Sequence, residues 1–366
     1  MGLLRDHLTE RLAVKLTDYR TLGRSGLVAS PLALGTMTFG TQRWGSPDAV
    51  SEAIFHAYVE AGGNFIDTAD VYARGRSEEL VGSYVADRKL RDQVVLATKS
   101  AFHHGKPGNP HDGGNGRKHI HQALEGSLRR LRTDYVDLYW MHVWDMVTPV
   151  EEVLQTFGDL VRAGKIRYFG LSDVPAWYAA KAATLASAHQ IPGPIALQVE
   201  YSLVSRSIER EHVPAARETG LGICPWSPLA AGFLAGKYER AGQGASGEGR
   251  LAGPNPFGNS KFTDSNWRVL DVLRGAADRL GRPPAQVALA WAVAQPGITS
   301  TIIGASNLDQ LRDNLAALDL VLTPEAITAL DEASALDPAF PYPIFTAGGR
   351  RGIFGGTTVQ GWGETI

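Results

Sequence analysis

Cysteine is nearly missing: Cys224 is the single thiol among 366 residues. That excludes an internal disulfide and fits a reducing compartment, so a cytoplasmic protein is expected. Charge imbalance is missing too. Lys and Arg number 36 against 38 Asp and Glu, a formal net charge of −2, which leaves no basic footprint for nucleic acid. No apolar run approaches the roughly 20 residues a membrane-crossing helix needs. The first residues scatter Arg5, Asp6, Glu10 and Arg11 among leucines, which is not a secretory signal. Asp6 stands where a myristoylation signal after Gly2 wants Ser or Thr. None of the expected strands leads into a G-x-G-x-x-G turn, and there is no P-loop.

What the chain does have is a 44% apolar composition, enough for a substantial core, and a regular alternation of two kinds of segment. A hairpin is expected over 22–28, turning at Arg24-Ser25-Gly26. Short apolar runs that read as buried strands follow at 32–36, 64–67, 94–98, 136–141, 166–171, 195–199, 221–225 and 301–303. Helical spacing separates them, at 49–61, 77–86, 118–131, 150–163, 175–189, 207–219, 264–280 with 284–294, and 307–318 after the last strand. Strand–helix alternation with continuously apolar strands implies a parallel sheet covered by helices. Eight such units fit an α/β fold of the closed (β/α)8 barrel type; a doubly wound open sheet is the alternative. Long connections at 101–116 and 233–261, the latter with Gly242, Gly244, Gly247, Gly249 and Gly253, and a tail from Asp337 rich in Gly and aromatics, are expected to rim one mouth.

Polar residues recur where these strands stop. The run Phe65-Ile66 breaks at Asp67, and Tyr72 follows in the loop beyond. Lys99 ends the third run, His142 follows the fourth, Ser172-Asp173 the fifth, Gln198 marks the sixth, and Trp226-Ser227 follow the seventh. In a barrel such positions converge on one face. Taken singly, each has a bland structural explanation; together they point to a site. No serine or cysteine pairs with His142 to make a nucleophile, and one carboxylate with one histidine is too few for a metal. The set suits proton delivery. A phenol has a pKa of about 10 in water, and a nearby ammonium is expected to lower it. Asp67 would hold Lys99 charged, His142 would orient a substrate oxygen, and Tyr72 would protonate that oxygen as hydride adds to a carbonyl carbon.

At this point the sequence resembles the aldo-keto reductases, from about Tyr19 to about Leu336. The resemblance rests on Gly35-Thr36-Met37-Thr38-Phe39-Gly40, Asp67-Thr68-Ala69-Asp70-Val71-Tyr72, Thr98-Lys99, and Asp137-Leu138-Tyr139-Trp140-Met141-His142. It continues in Gly170-Leu171-Ser172, Gln198-Val199-Glu200-Tyr201-Ser202, Pro225-Trp226-Ser227-Pro228-Leu229, Gly236-Lys237-Tyr238 and Ile303-Gly304-Ala305-Ser306-Asn307. It implies a (β/α)8 barrel with an N-terminal hairpin and long loops at the C-terminal face, binding NADPH/NADP+ and reducing a small-molecule aldehyde or ketone. The family's tetrad falls on Asp67, Tyr72, Lys99 and His142.

The cofactor contacts it implies are Gly35, Thr36, Met37 and Asp67 on the first strands, Ser172, Asp173 and Gln198 around the carboxamide, and Trp226 stacked on the nicotinamide. Ser227, Pro228, Leu229, Gly232 and Lys237 would cradle the pyrophosphate. Gly304, Ser306, Gln310, Asp313 and Asn314 would hold the adenosine side, and Arg250 the 2′-phosphate. One departure stands out: the family often has Asn where this chain has Asp173, which can accept a hydrogen bond but cannot donate one. The loops resemble the bacterial and potassium-channel β-subunit branches more than the compact sugar reductases. That likeness leaves open a nucleotide-sensing binding protein with little turnover, and a barrel hydrolase or lyase using His142 and Asp67 is a third reading. Three regions are expected: an extension over 1–18, the barrel over 19–336, and a tail over 337–366. Trp44 and Trp144, with Trp140, His103, His104 and Phe345, are candidates to line a ring-accepting pocket beside Tyr72 and His142.

Overall fold

The computed structural model describes residues 13–42, 44–103, 107–241, 244–246, 249–251 and 260–359. The extension expected before residue 13, His104, and Gly242, Gly247 and Gly253 of the glycine cluster lie outside the described residues. Eight parallel strands form the centre: β1 Leu32–Gly35, β2 Phe65–Asp67, β3 Val95–Ser100, β4 Val136–Met141, β5 Ile166–Ser172, β6 Ala196–Glu200, β7 Gly222–Trp226 and β8 Thr301–Ile303. They pair in the order β8-β1-β2-β3-β4-β5-β6-β7. The remaining seam, between β7 and β8, is bridged just before β8, where the Thr299 N–H donates to the Ile223 carbonyl at 2.9 Å. The result is a nearly closed (β/α)8 barrel.

The strands read as unbroken apolar runs because both faces are buried. Successive side chains alternate. Ala33, Phe65, Val95, Ala97, Leu138, Trp140, Ala196, Cys224 and Ile302 fill the barrel interior. Leu34, Ile66, Leu96, Tyr139, Met141, Phe169 and Leu171 pack outward into the larger cluster beneath the helices. Each Val, Leu, Ile, Met or Phe among them, fully buried, contributes on the order of 1.5–3 kcal/mol. The hairpin pairs Arg20 with Ala29 and Thr21 with Val28, and its Leu22, Leu27 and Ala29 join the interior cluster, closing the N-terminal end.

The outer helices are α1 Asp48–Glu60, α2 Arg76–Asp87, α3 Arg117–Leu131, α4 Val150–Arg162, α5 Ala176–His189, α6 His212–Thr219, α7 Asp264–Leu280, α8 Pro284–Val293 and α9 Leu308–Ala316. Asn307 caps α9 by accepting from the Gln310 N–H at 2.9 Å, a bond of about 1 kcal/mol. Four differences from the sequence reading appear. The helix expected over 207–219 is split into a 3-10 turn, Ser207–Glu209, and α6, where Arg206 grips Glu209 and reaches Asp331. A further helix, α10 Pro324–Ala333, is capped by Thr323 and packs on α7. The tail holds a short helix, α11 Ala347–Ile353, and the 233–261 connection holds a small hairpin of Glu239–Ala241 with Gly244–Ser246.

Candidate active site

The polar strand-end residues are the uppermost layer of the barrel interior, and the alternation of the strands puts them there. Asp67 lies two residues beyond inward Phe65, Lys99 two beyond Ala97, and His142 two beyond Trp140. Gln198 lies two beyond Ala196, and Trp226 two beyond Cys224. A period of 2 therefore turns the same face of each strand from apolar packing to chemistry at its C-terminal end.

Lys99 is fully buried and Asp67 is 2% exposed. The Lys99 ammonium is hydrogen-bonded to Asp67 Oδ1, donates to the Thr68 carbonyl at 2.9 Å, and lies 3.3 Å from the Tyr72 hydroxyl. The other Asp67 oxygen, Oδ2, accepts from Gln198 Nε2 at 3.0 Å. His142 meets the Tyr72 ring edge-on, with centroids 5.8 Å apart.

The segment that carries Tyr72 is held firmly. Thr68 and Asp70 donate backbone N–H bonds to Ala97 and Lys99 of β3. After Tyr72, the chain turns through Ala73, Arg74 and Gly75 with φ of 47°, 56° and 91°. Left-handed backbone costs a non-glycine residue about 1–2 kcal/mol, so this turn has to be stabilised from outside. Arg130 of α3 supplies that support. It donates to buried Glu78 at 2.6 Å and lies so close to Gly75 that a Cβ there would stand 2.7 Å from Arg130 Cδ. Glu78 in turn accepts from Thr98, the residue before Lys99, at 2.5 Å.

The electrostatics correct one expectation. Burial raises the Tyr72 phenol; the Lys99 ammonium pulls it down and Asp67 opposes that pull, so the net direction is up and not down. For Lys99, burial works to lower the ammonium, but Asp67 and then Tyr72 more than offset it and hold it above its ordinary range. His142 is pushed well below its ordinary value by burial and by Lys99, so its ring is neutral at physiological pH. Its Nδ1 is buried with no hydrogen-bond partner among the described residues.

The cofactor-side candidates divide by place. Ser172 is buried, faces Gln198 in the sheet register, and its Oγ has no partner among the described residues. Asp173 takes a left-handed φ of 46° and accepts from the Trp226 indole Nε1 at 3.0 Å. Ser227 has φ 55°, and its Oγ caps the Ala231 N–H at 2.8 Å; Pro228 and Leu229 lead into a turn through Gly232, φ 95°. The Lys237 amine lies over that turn, 3.9 Å from where a Gly232 Cβ would be.

Beyond β8, Ser306 donates through its N–H and Oγ to Gln310 Oε1 at 2.9 and 3.1 Å, and Asn314 holds the Gly304 carbonyl at 3.1 Å. Asp313 is exposed on the α8 side, 3.5 Å from Gln286. On β1, Gly35 is a wall residue, where a Cβ would stand 2.7 Å from Ile302 Cγ2. The Thr36 side chain is buried against Ser77 at 2.8 Å.

Arg250 lies over the Trp44 ring at 4.1 Å and against Met37 Sδ at 3.0 Å, close enough to Tyr72 for its charge to act on the phenol. Burial lowers its guanidinium to about 10, still charged at neutral pH. Trp144 packs on Trp177 and Tyr178 and lines a groove with Asp173 and His212. Trp140 is buried inside the barrel, and Phe345 is 62% exposed on the tail. The sequence reading missed Phe102, which meets His142 edge-on at 4.8 Å. Its place three residues after Lys99, at the start of a long mouth loop, is the signal that would have found it. Among the described residues no group of three or more His, Cys, Asp and Glu could hold a metal ion, and no helix is long and apolar enough to cross a membrane.

Comparison with known proteins agrees with this architecture. The Aldo/keto reductase family model matches residues 31–335. A probable voltage-gated potassium channel subunit beta from Oryza sativa subsp. japonica is 38% identical, over 86% of this chain and 95% of its own. An uncharacterized oxidoreductase, YrpG, from Bacillus subtilis is 36% identical over the same shares. An aryl-alcohol dehydrogenase [NADP(+)] from Phanerodontia chrysosporium is 33% identical, over 91% of this chain and 90% of its own. With a family match across most of its length and the barrel that goes with it, this chain belongs to the aldo/keto reductase family of oxidoreductases.

Proposed function

We propose that this chain is an NADPH-dependent carbonyl reductase, converting an aldehyde or ketone reversibly to an alcohol. The observation that carries the reading is the Tyr72 hydroxyl 3.3 Å from a buried ammonium that is itself paired to Asp67. Bound NADPH would supply the hydride; the chain's own groups handle the proton and the orientation. Burial keeps Tyr72 protonated at neutral pH, so it is a donor in the ground state. An alkoxide is far more basic than a phenolate, so transfer runs downhill only once the carbonyl oxygen has gained charge. The Lys99 ammonium then stabilises the phenolate left behind, and Asp67 keeps that ammonium in place. His142, neutral, can hydrogen-bond the carbonyl oxygen without protonating it outright.

The residues present suit the dinucleotide. The unpartnered Ser172 Oγ offers a bond to a carboxamide, and Trp226 offers an aromatic face. The turn over 227–232 with Lys237 above it, and Arg250 at the mouth, bring backbone N–H groups and positive charge to phosphates. Phe102 and Trp44 favour an apolar or aromatic substrate. One relative, the aryl-alcohol dehydrogenase, is named for an aromatic substrate and supports that choice. The test is NADPH oxidation with a panel of aliphatic and aromatic aldehydes and ketones. Oxidation with aromatic members is expected. Tight NADPH binding with no oxidation by any member overturns the reductase reading in favour of a nucleotide-sensing protein.

A further inference from the structure

Asp173 sits at an unusual conjunction. Its φ of 46° is a backbone conformation that Asn and Asp tolerate better than most residues. Its N–H donates to the Gln198 carbonyl at 3.1 Å, so the residue is fixed to β6 beside Ser172. Its Oδ1 accepts from the Trp226 indole at 3.0 Å, so the carboxylate lies on the edge of the aromatic ring at the mouth. An asparagine fits the same backbone and also accepts through its Oδ1. What aspartate adds is charge; what it gives up is the amide N–H₂ donor, which would meet the carboxamide of both redox forms alike.

We infer that Asp173 is a specificity-determining carboxylate: held on the edge of the Trp226 indole, it favours the oxidised, cationic nicotinamide ring over the neutral, reduced one. The inference rests on the cofactor reading above, in which Trp226 and Ser172 flank the nicotinamide. The two redox forms of the nucleotide differ by one positive charge on that ring, so a nearby anion discriminates between them while the phosphates do not. The consequence is a site that retains NADP+ and whose bound equilibrium is pulled toward NADP+ and alcohol, the carbonyl-reducing direction, relative to the same site with asparagine.

Other charges face the carboxylate. Glu200 of β6 opposes it, though Lys261 is hydrogen-bonded to Glu200; Lys99 of β3 favours it. His212 of α6 lines the same groove, with Trp144, Val174 and Val199. Burial at the crowded mouth pushes Asp173 up to about 6, with the Trp226 bond and Lys99 pulling the other way and Glu200 adding to the rise. The preference is therefore complete well above pH 6 and fades as the carboxyl takes up a proton below it.

The experiment is equilibrium titration of the full chain with NADP+ and with NADPH, read by Trp fluorescence, for the unaltered protein and Asp173→Asn. Asp173→Asn is expected to weaken NADP+ relative to NADPH by roughly fivefold to twentyfold, the size of a part-screened charge effect at several ångström. In the unaltered protein the ratio of the two dissociation constants should move toward that of the variant between about pH 8 and about pH 5.5, and stay flat in the variant. The 2′-phosphate titrates in the same range but equally in both nucleotides, so it cancels in the ratio. Binding of both nucleotides with a ratio indifferent to residue 173 overturns this inference and leaves the cofactor reading standing. Failure of both nucleotides to bind the unaltered protein overturns the two together.

Discussion

Replacing Lys99 by Met and Asp67 by Asn, singly and together, asks what the buried pair at the centre of the site is worth. Lys99 is fully buried and Asp67 is 2% exposed, so neither charge can turn to water when its partner goes. In Lys99→Met, Asp67 keeps Gln198 Nε2 as its side-chain donor among the described residues, and a buried carboxylate with one bond is expensive. Breaking a buried pair from one side costs about 3–5 kcal/mol. In Asp67→Asn, Lys99 retains the Thr68 carbonyl at 2.9 Å and Tyr72 at 3.3 Å, which brings the loss to or below the bottom of that range, about 2–3 kcal/mol. The double variant buries two neutral groups and leaves Gln198 an amide to bond, so it should lie within about 2 kcal/mol of the unaltered protein. The coupling energy is then at least about 3 kcal/mol, well outside the ~0.5 kcal/mol expected of independent sites. Urea unfolding followed by far-ultraviolet circular dichroism measures all four corners. Burial lowers Lys99, but Asp67 and Tyr72 raise it further, leaving it above its unfolded value of about 10.5. Its contribution is therefore complete below that pH and lost as pH rises through the folded value. Simple additivity of the two single losses at neutral pH would refute the reasoning.

The remaining predictions concern the proton, the turn and the orphan hydroxyl. Because Tyr72 must be protonated and its pKa is raised above about 10, kcat/KM for reduction should be flat across neutral pH and fall only in the alkaline range; an inflection near pH 6.5 would instead implicate His142, which burial holds neutral. Gly75→Ala forces a side chain into φ 91° and against Arg130, and should lower stability by about 2–4 kcal/mol, with reduction impaired because Tyr72 shares the turn; unchanged urea midpoints would remove Arg130 as its support. Ser172→Ala takes away an Oγ that bonds nothing among the described residues, so it should leave stability within about 1 kcal/mol while weakening NADPH binding roughly threefold to tenfold. Lost stability with binding intact would assign Ser172 to the fold.

How much of this was legible in the sequence follows from which interactions are local. The barrel strands were found because burial on two faces leaves continuous apolar runs, and 136–141 and 301–303 match the observed bounds. The convergence of Asp67, Lys99 and Gln198 was legible because strand period and parallel register fix it. The direction of the Tyr72 shift was not. Spacing reveals a neighbouring ammonium, but the burial that outweighs it is set by the tertiary packing around the phenol, which no local pattern encodes. Arg250 shows the same limit: its position comes from stacking on Trp44, over 200 residues away, and no local pattern encodes that. Helix 207–219 was misread because the chain leaves helical geometry at Glu211, between the 3-10 turn and α6, while Arg206 ties the turn to Glu209 and to Asp331 of α10, an element the sequence reading had not identified.

The central claim is that the Tyr72 hydroxyl delivers the proton while everything else at the mouth binds and orients. Tyr72→Phe removes that oxygen and keeps the ring that meets His142 edge-on. Single-turnover oxidation of bound NADPH by an aromatic aldehyde, measured beside the NADPH dissociation constant, separates the two roles. The account predicts a dissociation constant within about twofold of the unaltered protein and a hydride-transfer rate lower by roughly 10²-fold or more. A Tyr72→Phe variant that transfers hydride at the unaltered rate would contradict it.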